Sequence, residues 1–378
     1  MLSYWERKFW NKPVDFTIIG AGIVGLFSAY FLKVENPNAT VAVIEKGLGP
    51  SGASTKNAGF ACYGTAGEIL DDLQSMPKDV VMETVKLRWK GLQLLQKTVS
   101  PKALTMSKLG GYEVFRTEDA FESCYSQLSD INDLLEAATG VSETLEIKER
   151  PLGRLYHKTL FNSLEAQLNP MHLCHEMVRL CREIGVRFYF GLEINNLSDD
   201  SNKVHLESEA LSLYSHQVIL ATNAFTPVLR QDLDIVPVRN QVLLSSPIPN
   251  LSVKGTFHLD RGYIYFRNVD DRLLIGGARH ILATEEEKTM ALGSNPIIID
   301  YLKQLAVNEL GLKNFTVAHK WSGIIATGAT KQPIIRAVSP HLVCAVRLGG
   351  MGVATGSAVA REVVNIITGT SHKTYDEC

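Results

Sequence analysis

Paired cysteines are missing from this chain. Its six, Cys62, Cys124, Cys174, Cys181, Cys344 and Cys378, stand far apart, with no CxxC pair and no Cys/His spacing of a zinc site. Neither a disulfide framework nor a metal is expected. Free thiols in a reducing compartment, the cytoplasm, fit this usage. Charge of one sign is missing too. The formal net charge is -2 and Lys and Arg are scattered without basic blocks. No overall field draws the protein to nucleic acid or to an anionic membrane, so a small molecule is the expected partner. Long hydrophobic runs are scarce. The one from Phe16 to Leu32 follows Lys8 and Lys12, as a signal-peptide core would. It contains Gly20, Gly22 and Gly25, however, and is followed by Lys33, Glu35 and Asn36 rather than a small-residue cleavage site. No other stretch is long and apolar enough to span a bilayer.

What is present is an ordinary globular balance, 45% apolar and 21% charged, in 378 residues, too many for one compact core. Two domains are expected. Phe16-Thr17-Ile18-Ile19 reads as a strand buried on both faces. It runs into Gly20-Ala21-Gly22-Ile23-Val24-Gly25, and Leu26 to Lys33 reads as a helix. Thr40 to Ile44 is a second buried strand, ending in Glu45 and Lys46. Strand, GxGxxG, helix, strand and acid in that order form a dinucleotide site. Gly20 permits the tight turn, Gly22 lets the backbone approach a pyrophosphate, and Gly25 lets the helix pack against the strand. The helix N-terminus offers unpaired N–H groups and partial positive charge to phosphates. Glu45 can accept from ribose hydroxyls. Whether the dinucleotide is FAD or NAD stays open on this segment.

The segment Gly47 to Gly59 is rich in small and hydroxyl residues. Ser54, Thr55, Asn57, Ala58 and Gly59 lie where a loop can wrap a long cofactor. A nicotinamide dehydrogenase would proceed to another βα unit here. Five segments in order now resemble the D-amino acid oxidase-like flavoproteins of the glycine oxidase and sarcosine oxidase type. They are Gly20 to Gly25 with Glu45, Ser51 to Gly59, Val218 to Ala224, Leu273 to Gly277, and Arg347-Leu348-Gly349-Gly350-Met351-Gly352-Val353. The resemblance runs from about residue 16 to about 368 and covers nearly the whole chain. It implies an α/β fold: a Rossmann-like FAD-binding domain interleaved with an α+β substrate domain built on an antiparallel sheet. The expected division gives 1–104, 151–227 and 319–378 to FAD and 105–150 and 228–318 to substrate. Long helices are expected over 78–98 and 121–137, and Asp199 to Asn202 reads as a hairpin turn.

The resemblance places Ala221 and Thr222, at a strand end, beside the cofactor. It adds Gly323 and the turn Gly349, Gly350, Met351, Gly352 and Val353. A helix starting at that turn would stabilise the negative charge of a reduced flavin. Tyr263, Tyr265 and Arg267 alternate onto one face, as a substrate wall would. By resemblance Tyr265 corresponds to a substrate-binding tyrosine. Arg347 is either a carboxylate anchor or a structural ion pair. Two departures bear on the substrate. The family arginine after the Trp–Gly segment is absent from Trp321-Ser-Gly-Ile-Ile-Ala326, and Lys331-Gln332 stand where an aspartate is common. Thr327 to Pro333 also lacks the cysteine that bonds flavin in sarcosine oxidase-like enzymes, so FAD is expected to bind non-covalently. The expected reaction is oxidation of a small amine or amino acid, with oxygen or another electron acceptor. Alternatives are a non-catalytic or electron-transfer flavoprotein and an NADPH-dependent flavin hydroxylase.

Overall fold

The computed structural model describes residues 3–10, 12–200 and 202–370. The strand Val14–Ile19 lies in the middle of an eight-stranded sheet. It runs parallel to Val41–Glu45 on one side and to Ser212–Leu220 on the other. Arg187–Phe190 and Leu342–Val346 extend the sheet outward, both in parallel, and Ile334–Ser339 closes one edge antiparallel. All five residues of Val41–Glu45 are buried, as expected of a strand covered on both faces. One face carries the helices Ile23–Glu35, Pro170–Glu183 and Gly352–Ile367, with Lys78–Thr98 behind them. Lys78–Thr98 crosses Gly352–Ile367 at Gly91. A Cβ there would lie 1.8 Å from the Ala354 carbonyl oxygen, and the Ser357 hydroxyl donates to the Gly91 carbonyl at 2.6 Å. The antiparallel strands Asn196–Asp200 and Lys203–Glu207 complete the eight: Lys203–Glu207 pairs with the start of Ser212–Leu220, and the pair packs over the other face. The hairpin turn expected between them includes Ser201, which lies outside the described residues, as does Cys378.

The second eight-stranded sheet has the order Val317–Thr327, Val236–Ser245, Arg272–Gly277, Ile264–Val269, Thr256–Leu259, Gly111–Glu113, Lys158–Asn162 and Leu145–Glu149. Its pairs are antiparallel except Thr256–Leu259 with Gly111–Glu113. Helix Pro296–Gln304 and the π-helical turn Leu305–Glu309 bury Ile298, Leu302 and Leu305 on one face. The opposite face turns toward the first sheet. The sheets part at different places from the expected domain limits. Lys158–Asn162 and most of Val317–Thr327 fall in the segments expected to bind FAD, yet both hydrogen-bond into the second sheet. Val317–Thr327 pairs with Val236–Ser245 along its length, Ser322 and Gly323 included.

Helix Lys78–Thr98 has the expected bounds. The helix expected over 121–137 is instead two, Glu118–Tyr125 and Leu128–Thr139. The break falls at Ser126-Gln127, where the Ser126 N–H closes onto the Glu122 carbonyl and the Ser126 hydroxyl donates to the Ser123 carbonyl. Local side-chain bonding of this kind competes with helix continuation. Among the described residues no helix is long and apolar enough to cross a membrane.

Candidate active site

A single cleft of about 1460 Å³ opens between the two sheets. That exceeds the roughly 300–1,000 Å³ of a site for one drug-sized ligand, leaving room for a cofactor and a substrate together. The first glycine turn forms one end. Gly20 has φ +106°, and a Cβ on Gly25 would stand 1.9 Å from the Gly20 carbonyl oxygen. Only glycines let the strand end and the helix start touch here. No side chain of the helix's own cap residue satisfies its N-terminus. The Ser54 hydroxyl accepts from the Ile23 N–H at 2.9 Å instead. Gly20, Gly22, Ile23, Val24, Glu45, Lys46 and Ser54 line the cleft; Gly25 and Thr55 stand behind it. Glu45 is buried, and its carboxylate accepts from the Ala21 and Gly47 N–H groups and the Ser51 hydroxyl. Most of its lone pairs are therefore used in shaping the turn, a role sequence reasoning did not assign. Lys46 lies 3.7 Å from Glu193 and sits over the Phe225 ring.

The wrapping loop is tied down from three sides. The Asn57 side chain donates to the Ala53 and Ser54 carbonyls and accepts from the Gly59 N–H. The Thr55 hydroxyl donates to the Gly52 carbonyl rather than facing the cleft. The Trp321 indole N–H donates to the Lys56 carbonyl at 2.9 Å, and Gly323 lines the cleft beside Lys56. The third tie is Arg267, which corrects an expectation. Its buried guanidinium donates to the Ala58, Leu168 and Asn268 carbonyls and forms no part of the cleft wall. Burial pushes its pKa down to about 10, while Asp270 pulls the other way. Arg267 and Tyr265 share a strand face as the alternation required, but the arginine is too long to stop at the cleft and reaches through to the loop.

The second glycine turn forms the far side. Asn223, at φ +45°, accepts from the N–H groups of Arg347 and Leu348. The Gly349 N–H reaches the Ala326 carbonyl, and no side chain caps the helix Gly352–Ile367. Ala221, Thr222, Gly349, Gly350, Met351, Gly352 and Val353 all line the cleft. Two helix N-termini from opposite ends of the chain thus meet one cavity, each a place for negative charge. Arg347 takes the structural alternative. Its φ is +62°, and its buried guanidinium donates to the Asp234 carboxylate at 2.7 Å, to the Asp234 and Gln332 carbonyls and to the Thr330 hydroxyl. It is not part of the cleft wall.

Tyr265 and Tyr263 do line the cleft. The Tyr265 ring packs edge-on against Phe60, and its hydroxyl has no hydrogen-bond partner among the described residues. Burial pushes its pKa up to about 12, with Arg279 pulling back, so the hydroxyl stays a neutral donor at any working pH. Tyr263 is more open and contacts His280 and Arg279. Beside them is a polar group that sequence reasoning missed. Buried His258 meets Glu165 at 2.9 Å, and Glu113 accepts twice from the Gly67 N–H. Glu68 pairs with Arg88 at 2.9 Å, and Lys331 pairs with Asp72. These acids and bases are distant in sequence. The one local signal is the strand Thr256-Phe-His-Leu259, where Thr256 and His258 put polar groups on one face of an otherwise apolar strand.

Burial pushes Glu113 up to about 7, against the Gly67 N–H bond that favours its charged form. Its folded value exceeds the unfolded one of 4.5, so its contribution to stability is complete below pH 4.5 and lost as pH rises through 7. Glu113→Gln removes that loss. The melting-temperature drop between pH 5 and pH 8 should shrink by a few degrees in the variant, as read by calorimetry; an unchanged drop would show that Glu113 is ionised in the native protein throughout.

Comparison with known proteins agrees with this geometry. The chain is 21% identical over 381 residues to the probable oxidoreductase OrdL of Haemophilus influenzae, covering 96% of this chain and 84% of that protein. It is also 21% identical over 320 residues to glycine oxidase of Bacillus subtilis, covering 83% and 81%. The crystal structure of L-proline dehydrogenase from P. horikoshii superposes with a TM-score of 0.77 at 16% identity, covering 97% and 96% of the two chains. Residues 15–366 match the family described as FAD dependent oxidoreductase, DAO. With that match spanning both glycine turns and both sheets, this chain belongs to the DAO family of FAD-dependent oxidoreductases.

Proposed function

We propose that the protein oxidises the C–N bond of a small amine or amino acid, with FAD bound non-covalently across the two glycine turns. The carrying observation is that one cleft is lined by the starts of two helices whose own cap residues give no side-chain cap and by the Tyr265 side chain, whose hydroxyl has no partner among the described residues. Bound FAD would take the hydride from the carbon next to nitrogen, leaving an imine that hydrolyses to a carbonyl compound and an amine or ammonia. The chain's own part is to hold and orient. In this reading Gly20, Gly22, Ile23 and Ser54 would hold the phosphates, Gly349 to Val353 would stabilise negative charge on a reduced flavin, and Tyr265 with Tyr263 would fix the substrate. Arg267 and Arg347 act on the loops rather than on the substrate. Cys62 supports non-covalent binding: of the cysteines it alone lines the cleft among the described residues, and burial pushes its thiol far up, which makes it a poor nucleophile. Five free, buried cysteines support a cytoplasmic setting. The division into a FAD-binding and a substrate domain belongs to the same reading, as does oxygen or another acceptor for the electrons.

The test is an anaerobic absorbance spectrum during addition of amines and amino acids. Bleaching of the flavin bands by one of them is expected. A protein that carries no flavin after incubation with FAD would sink the reading. With the bleaching substrate in hand, Tyr265→Phe should slow flavin reduction or raise KM about fivefold to tenfold, the worth of one neutral hydrogen bond. Unchanged single-turnover kinetics would remove Tyr265 from the site.

A further inference from the structure

His258 stands between the cleft and a pocket of buried acid. Its Nε2 lies 2.9 Å from Glu165 Oε2, an oxygen that also accepts from the Thr256 hydroxyl at 2.9 Å. The shared proton therefore belongs on Nε2, and the ring is held in one orientation. Its Nδ1 has no partner among the described residues. The ring forms part of the cleft wall and packs edge-on against Phe60, which packs in turn on Tyr265. Behind it is a void of about 10 Å³, close to the room one water needs, lined by His258, Glu165, Glu113, Asn162 and Thr65. His258 and Glu113 are register partners on adjacent parallel strands. A line of exchangeable groups thus leads from the substrate end of the cleft to a carboxyl at the start of the helix Ala66–Ser75.

We propose that His258 accepts the proton an ammonium substrate must lose before oxidation, with Glu165 and Glu113 as positioning residues behind it. The inference rests on the amine-oxidation reading. An alkylammonium, like the lysine side chain with its pKa of about 10.4, arrives protonated near neutrality and has no lone pair with which to form a C=N bond. In the step, the substrate N–H bond breaks and an Nδ1–H bond forms. The electron pair stays on the substrate nitrogen, and the imidazole becomes imidazolium against the Glu165 carboxylate. No electron acceptor is consumed.

The surroundings set its pH dependence. Glu165 faces His258 from the segment before Ala166–Gln167, Glu113 from its neighbouring strand, Glu68 from the helix Ala66–Ser75 and Cys62 from beyond Phe60–Ala61. Arg88 and Lys331 neutralise Glu68 and Asp72 further out. Burial alone would hold His258 down, but Glu165, then Glu113 and Glu68, keep it above its ordinary value. The form able to accept a proton is thus the high-pH form. The Cys62 sulfur and the Glu165 and His258 ligand atoms lie within 4.8 Å of one another, but burial keeps that thiol protonated, which disfavours a metal there.

Flavin reduction would be followed anaerobically from pH 6 to pH 10 in the FAD-loaded chain, with proline, N-methylglycine and benzylamine as probes. The wild-type rate should rise with pH through the His258 titration. His258→Gln should be about 100-fold slower at pH 7.5, the low end for loss of a general base, and close most of that gap near pH 10, where a substantial share of the amine arrives neutral. Glu165→Gln, which keeps the imidazole but not the anion, should shift the rise to lower pH, and it serves if His258→Gln fails to fold. A readout apart from turnover is the histidine NMR spectrum, in which the resonance absent from His258→Gln should titrate at a different pH when a probe is bound. Bleaching with the same pH profile in wild type and His258→Gln, or an unmoved His258 resonance, would overturn the proposal alone. No bleaching by any probe or wider amine would overturn the oxidation reading, and this proposal with it.

Discussion

Gly25→Val should leave the protein unable to retain FAD. A Cβ at position 25 would stand 1.9 Å from the Gly20 carbonyl oxygen and 3.1 Å from the Ile18 side chain. Neither neighbour can give way cheaply: Gly20 is fixed in the turn by its N–H bond to the Ile44 carbonyl, and Ile18 is fully buried in the middle strand. The helix Ile23–Glu35 must therefore lift off the strand Val14–Ile19, carrying its N-terminus away from the cleft. Phosphate binding at a helix start depends on several N–H groups converging, so a displacement of an ångström is enough to lose it. The expected result is a purified protein without flavin absorbance, and FAD affinity at least about 100-fold weaker by fluorescence quenching, roughly the 2–3 kcal/mol of a lost set of charge-assisted bonds. Gly49→Ala is the control, because a Cβ there meets nothing within 4 Å. Full FAD retention in Gly25→Val would mean that the cofactor does not rest on this turn.

Arg267→Ala should destabilise the protein more than it harms substrate binding. The substitution strips donors from the Ala58 and Leu168 carbonyls, which lie deep between the loop and the second sheet. Leaving buried acceptors unmet costs about 1–3 kcal/mol each, and the emptied side-chain volume adds to it, so a loss of about 3–5 kcal/mol is expected. For a chain of this size that is a drop in melting temperature of roughly 5–10 °C. Because the released segment is the loop around Ala58, FAD should also dissociate faster. Arg267→Lys should recover part of both, since a single ammonium can reach one carbonyl but not all three. A variant with wild-type melting and flavin retention but a raised KM would restore the substrate-facing role that the strand alternation suggested.

The contrast between these two residues shows where the sequence is informative. Gly25 is legible because its requirement is local: strand, turn and helix are contiguous, and the spacing of the glycines carries the geometry. Arg267 is not, because alternation along a strand assigns a face and says nothing of how far a long side chain travels. Arg347 is a second case, its alternatives decided by Asp234 and Thr330, neither of which is near it in a way that spacing reveals. The order of the strands and the family pattern pointed to residues of both glycine turns and to Tyr265, and these line one cleft. They missed Glu113, Glu165 and His258, brought together by pairing between segments that share no motif. Likewise Val317–Thr327 changes sheets because of its partner, Val236–Ser245, and not because of its composition.

The crossing of Gly91 with Ala354 and Ser357 bears on how the molecule is made. The strand Val14–Ile19 and its glycine turn leave the ribosome more than 300 residues ahead of the helix Gly352–Ile367, which packs on them and lines the far side of the cleft. At about 5–20 residues per second, the first half of the cradle waits tens of seconds with its apolar face uncovered. Contacts this far apart in the chain also make for slow folding. Nascent chains stalled before Gly352 should therefore be the ones that chaperones hold, and capture of FAD should mark the moment at which synthesis of this helix is complete.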